Sequence, residues 1–166
     1  MASQQLGPLG LLPSYTSQNR ASIDPKLRLL EAFSLMRETQ ILAREEKVKM
    51  STSLIPTLER EFKRFFALPL LFPDPMYDFA PTPPVDVIWH ELIIDTRRYS
   101  KLSDDVYGSY VHHTPLSPGQ ASMNAGEILG YTKKRLVEAF GELTPSIWGE
   151  AQAGCDMRAC HILCYR

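Results

Sequence analysis

Four side chains between Val85 and Pro115 have the types and spacing to hold a metal ion or pass a proton: Asp86, His90, His112 and His113. Three of the chain's 4 histidines fall in this one stretch, VDVIWHELIIDTRRYSKLSDDVYGSYVHHTP. Asp86 precedes His90 by four residues, so on a helix the two share a face. The His112-His113 pair begins 22 residues after His90. Imidazole suits zinc, iron, copper or nickel, and a nearby carboxylate either joins the ligand set or orients a ligating histidine. Two histidines and one carboxylate with open positions are also the donor set of non-haem iron sites; that requires His112 or His113 to face inward with His90. The same residues fit two other readings. One is a buried polar network, with His90 bonded to a backbone carbonyl or to Asp95 and the HH-x-P segment satisfying a helix end. The other is direct acid–base catalysis. His90-Glu91 begins like the helix of a zinc protease, but position 94 is Ile94, so that spacing fails.

A second candidate lies at the end of the chain. Cys155, Cys160, His161 and Cys164 read C-x4-C-H-x2-C, three thiols and an imidazole that make up a tetrahedral zinc set. All four fall within ten residues, whereas structural zinc sites usually join two separated knuckles. The other readings are reactive thiols, or a segment that docks Ile162, Leu163 and Tyr165 on a partner. Zinc or iron is the cofactor expected first at either candidate. No dinucleotide-binding glycine motif, P-loop, nucleophile elbow or EF-hand loop is present.

The elements that must position these residues are helical. Residues 1–22, rich in Gly, Pro, Ser and Gln, form an extended arm, flexible unless a partner or the body ties it down. Asp24-Pro25 reads as an N-cap and first helical residue, opening a helix to about Lys49 with Leu27, Leu30, Phe33, Leu35, Met36 and Ile41 as its stripe. A second helix is expected from Ser53 to about Ala67, with Leu58, Phe62, Phe65 and Phe66 on one face. Leu68 to Pro84 holds six prolines and reads as a rigid loop packed by Leu70, Leu71, Phe72 and Tyr77. A third helix runs from Val85 to Ile94. A fourth, capped by Thr96, runs from Arg97 to Tyr107 and ends at Gly108. A loop over Ser109–Pro118 carries the histidine pair, and a last helix covers about Gly119 to Phe140, stopped by Gly141. Thr144-Pro145 opens one more turn with Trp148. The expectation is an all-α body over 23–148, of about five helices, followed by a Cys/His tail over 149–166.

Bulk properties narrow the function classes. A chain of 166 residues with 44% apolar residues can bury one core. Lys and Arg number 18 against 19 Asp and Glu, so net charge does not drive nucleic-acid binding. Arg97, Arg98 and Lys101, or Lys133, Lys134 and Arg135, read as solvated helix faces. The Phe62, Phe65 and Phe66 cluster reads as core rather than as a base-stacking platform. No apolar run approaches the roughly 18 residues of a membrane span, and the N-terminus lacks a basic region before its apolar run. An odd number of cysteines, 3, with no export signal fits reduced thiols in a cytoplasm, a host cytoplasm if the source is viral.

The spaced pattern Val85-Asp86, Trp89-His90, Thr96-Arg97 with Tyr99, Tyr107-Gly108, and His112-His113 with Pro115 resembles the prokaryotic glycine-rich domain-containing-protein-like family. Phe140-Gly141, Pro145, Ile147 and Trp148, with a cysteine-bearing tail, extend the resemblance from about Ser53 to the C-terminus. It implies a helical domain with a polar centre around the WH and HH motifs. Ser103 stands where members often carry Cys, and Leu92 near where they often carry a second His. Two functional expectations follow. The first is a non-enzymatic structural or interaction protein whose arm and tail dock on a protein partner or larger assembly. The second is a metal-binding protein or metalloenzyme using His90, His112 or His113, and Asp86.

Overall fold

Apolar residues at helical spacing form helices, and left-handed glycines close two of them. The computed structural model describes residues 6–15, 20–44, 51–75, 78–115, 121–149 and 160–163. The all-α expectation is met: α1 (Arg20–Ala32), α2 (Met36–Arg44), α3 (Ile55–Leu71), α4 (Pro83–Ile94), α5 (Thr96–Tyr107), α6 (Ala121–Phe140) and α7 (Pro145–Trp148), with short 3-10 turns at Pro8–Gly10 and Thr52–Leu54. Two short strands, β1 (His112–Pro115) and β2 (Cys160–Leu163), pair antiparallel as a ribbon beside the helices.

The first expected helix is two. It begins at Arg20, not at an Asp24 cap, so Pro25 lies inside it and Asp24 pairs with Arg20 at 3.2 Å, one turn earlier. The chain leaves helical form at 33–35. There the Leu35 amide donates to Glu59 Oε1 at 3.3 Å, and the Met36 amide to Ser34 Oγ at 3.3 Å. These side-chain acceptors replace the helical ones and let Leu35 sink fully into the core. The helix expected to continue to Lys49 is seen to Arg44; positions 45–49 lie outside the described residues.

α3 runs four residues past the expected end and carries Pro69 in its last turns. Pro69 costs one helical hydrogen bond, on the order of 3 kcal/mol. The helix continues because Phe65, Phe66, Leu68 and Leu71 are all buried by it. The proline-rich connection therefore starts at Phe72, whose amide closes the helix on Leu68 O at 2.8 Å. Tyr77, expected to pack that loop, lies outside the described residues. At α5 the cap is Asp95 rather than Thr96: its Oδ1 accepts from the Arg98 amide at 3.4 Å. Gly108 at φ 75 and Gly141 at φ 82 close α5 and α6 in the left-handed region, as the sequence leads one to expect.

α3 is the central element, packed against α1, α4 and α6. Its aromatic face meets Trp89 and Trp148: Phe65 lies 5.7 Å from Trp89 and 6.3 Å from Trp148, ring centre to ring centre. The N-terminal arm is tied to the body over part of its length. Leu9 and Leu11 are buried, the Leu12 amide donates to Ala139 O at 2.8 Å, and the Leu9 amide to Glu31 Oε1 at 2.7 Å. Tyr15 hydroxyl donates to Leu71 O, and burial raises its pKa above the ordinary phenol value. Arg64 Nε donates to Leu9 O at 3.0 Å. Gly10, at φ 78, admits this contact, since a Cβ there would stand 2.8 Å from the Arg64 guanidinium. Among the described residues, no helix is long and apolar enough to cross a membrane.

Candidate metal centre

α4 presents Asp86 and His90 one turn apart, and β1 brings His113 to them. Asp86 Oδ1 lies 3.1 Å from His113 Nε2 and 3.8 Å from His90 Nε2. One donor atom from each of the three lies within 4.8 Å of the other two. A tetrahedral zinc ion about 2.05 Å from its ligands needs donors about 3.3 Å apart. The two carboxylate distances bracket that value. His90 is the most accessible of the three: its side chain is 49% exposed, against 16% for Asp86 and 11% for His113.

The partly buried pair, Asp86 and His113, is held by packing. The His113 ring stands edge-on to Trp89 at 4.3 Å, and 4.5 Å from the ring of His90. Trp89 Nε1 donates to Tyr99 Oη at 3.1 Å, and Tyr99 in turn donates to Val111 O at 2.7 Å. This relay runs from α4 through α5 to the backbone two residues before His113. It explains why Trp89 and Tyr99 accompany the histidines: they fix where β1 starts. Asp86 is set by its own helix, its amide donating to Thr82 O at 2.9 Å.

His112 does not join the site. Its ring is exposed and packs 5.1 Å from Tyr110. Successive side chains on a strand point to opposite faces, so the pair cannot both face Asp86. The histidine pair therefore lies on a strand, where the sequence led us to expect a loop. Of the cysteine tail, Cys160 and His161 lie on the β2 backbone opposite Pro115 and Thr114, while Cys155 and Cys164 fall outside the described residues. Asp95 bonds not to His90 but to Arg37 and to the Arg98 amide.

Two polar groups outside the expected site are structural. Glu61 is fully buried and accepts from Trp148 Nε1 at 2.8 Å, Thr144 Oγ1 at 3.1 Å and Arg64 at 3.1 Å, which ties α7 to α3. Arg98, expected on a solvated face, turns inward to the buried Glu38 and donates to Ser34 O at 2.6 Å. Lys101 pairs with Asp105 at 2.7 Å on the surface. In α3 a Glu amid Leu and Phe was the available signal for the first. For the second, nothing in the spacing distinguished Arg98 from Arg97.

Neither the curated proteins nor the solved structures offer a match to this chain. A family model does match residues 25–127, more than half of the chain, and it corrects the resemblance read from the motifs. That model is not of the glycine-rich domain-containing type. The motif residues have packing and capping duties here: Trp89 and Tyr99 form the relay, and Gly108 the left-handed helix end. A pattern made of such residues describes how a helical body is closed and does not single out one family. The chain belongs to the UCP032817-like family, which is uncharacterised.

Proposed function

We propose that the protein binds a divalent transition-metal ion through Asp86, His90 and His113. The observation that carries this reading is the convergence of three donor atoms within 4.8 Å, two from one helix turn and one from a strand. Two imidazoles and a carboxylate suit zinc or iron and leave coordination positions open. Such an ion would supply Lewis acidity and an activated water. Asp86 and His113 are preorganised, and the more exposed His90 closes the set.

The test is titration of metal-free protein with zinc, cobalt(II) and anaerobic iron(II), read by calorimetry and by the cobalt visible spectrum. One ion per chain is expected, lost in Asp86→Ala, His90→Ala and His113→Ala and kept in His112→Ala. Metal retained in all three variants would move the site to the cysteine tail. No metal in the wild type would leave Asp86 and His113 as a partly buried hydrogen-bonded pair.

A second reading is a non-enzymatic role on a protein partner. It is favoured by Met36, 63% exposed, and Ile94, 71% exposed, each next in sequence to a member of the Arg37–Asp95 ion pair. Loss of crosslinked partners from the native cell in a Met36→Lys, Ile94→Lys double variant would support it; an unchanged set would count against it. Both readings suit a cytoplasm, where the tail thiols stay reduced.

A further inference from the structure

The ligands of the proposed centre are held unequally. Asp86 and His90 sit on a 12-residue helix whose own hydrogen bonds fix their spacing. His113 sits on a four-residue strand. On its N-terminal side that strand is tied by the bond from Tyr99 to Val111 O. Along its length its backbone partner is β2, with His112 opposite Leu163, His113 opposite Ile162, Thr114 opposite His161 and Pro115 opposite Cys160. A one-residue slip of a strand exchanges its two faces. For β1 that slip would present His112 to Asp86 and turn His113 away. The ladder with β2 and the Tyr99 bond are thus the two backbone ties that keep β1 an extended strand.

We infer that β2 is a positioning element of the metal centre: its ladder with β1 holds His113 against Asp86, so ion affinity depends on Cys160–Leu163, far outside the site in sequence. The inference rests on the metal reading above.

Proline in the ladder tests it in the full chain. Backbone N–H groups alternate in direction along an antiparallel strand, so Ile162→Pro or Leu163→Pro must remove one that points at β1. Ile162→Thr is the control that keeps the ladder. The first readout is amide exchange at His113 and Thr114 in metal-free protein, with the melting of the helical body followed alongside. The second is cobalt(II) and zinc affinity. At least one proline variant is expected to lose β1 protection and about ten- to a hundredfold in affinity, the range seen when a ligand's support is removed, with the helical melt unchanged. The control should match wild type. Lost protection with unchanged affinity, or a wild type with no β1 protection, would overturn this inference and leave the metal reading in place. A wild-type chain that binds none of the ions overturns the metal reading, and this inference with it.

Discussion

Tyr99→Phe removes one hydroxyl and two hydrogen bonds, those from Trp89 Nε1 at 3.1 Å and to Val111 O at 2.7 Å. Trp89 and Tyr99 are fully buried, and Val111 is 1% exposed, so water cannot easily take the place of the lost oxygen. A buried donor left without its acceptor costs about 1–3 kcal/mol, and the carbonyl that loses its donor about 1 kcal/mol. The ring itself stays, so packing against Phe66 at 6.3 Å is kept and no cavity term enters. The expected loss is therefore about 2–4 kcal/mol, or roughly 5–15 °C in melting temperature for a chain of this length. Urea denaturation followed by far-UV circular dichroism measures it.

The companion variant Trp89→Phe removes the donor but also leaves a void. Only the cycle of both single variants and the double isolates the hydrogen bond. Once the indole N–H is gone, Tyr99→Phe should cost about 1 kcal/mol less than it does alone. The relay also ends two residues before His113, so Tyr99→Phe should weaken metal binding several-fold. A destabilisation below about 0.5 kcal/mol, with additive single variants, would refute the claim that this relay fixes the start of β1.

Other substitutions test the remaining supports. Glu61→Ala strips Trp148 Nε1, Thr144 and Arg64 of a shared acceptor and should cost about 3–5 kcal/mol; a urea midpoint near wild type would contradict the clamp between α3 and α7. Gly141→Ala puts a Cβ at φ 82 and should cost about 1–2 kcal/mol, and a neutral effect on the melt would argue against a left-handed end to α6. Burial, helped by Glu138, raises the Tyr15 pKa, so the fold favours the neutral phenol. Its contribution is whole below about pH 10 and is lost as pH rises through the higher folded value. The stability gap between wild type and Tyr15→Phe should thus shrink above about pH 10; a constant gap from pH 8 to 11 would refute it. A bound ion at a hundred times its Kd should raise stability by about 2.7 kcal/mol, seen as a chelator-reversible rise in melting temperature that is absent in Asp86→Ala.

Helix positions were legible where apolar spacing and a special residue agreed. Gly108 and Gly141 stop helices because only glycine adopts their φ cheaply; Pro83-Pro84, read as the end of the rigid loop, form the first turn of α4, where a missing N–H costs little. Legibility failed where tertiary burial outweighed a local rule. Pro69 does not end α3, since the residues around it are wanted in the core, and Asp24-Pro25 does not begin α1, since Arg20 provides an earlier turn and an ion pair. The break at 33–35 depends on Glu59, an acceptor 24 residues away for Leu35, and no local pattern carries that information.

The site was half legible for a similar reason. Asp86 and His90 follow from one number, the helical repeat, and needed no knowledge of the rest of the fold. Choosing between His112 and His113 needs a strand, a parity and a reference residue. Val111 supplies the reference: it is apolar, it is 1% exposed, and it shares the parity of His113. Once Ser109–Pro118 is taken as containing a strand, burial of Val111 already sends His113 inward and His112 to solvent. Read as a loop, the same residues carry no parity, and both histidines stay open as ligands. Perturbing the reference residue therefore tests the parity more directly than deleting either histidine. Val111→Ala weakens the inward anchor without touching a ligand, and should lower metal affinity while leaving Asp86 and His90 in place on α4. If that variant binds metal as tightly as wild type, the parity argument fails, and the Tyr99 bond to Val111 O and the ladder with β2 hold His113 without help from the Val111 side chain.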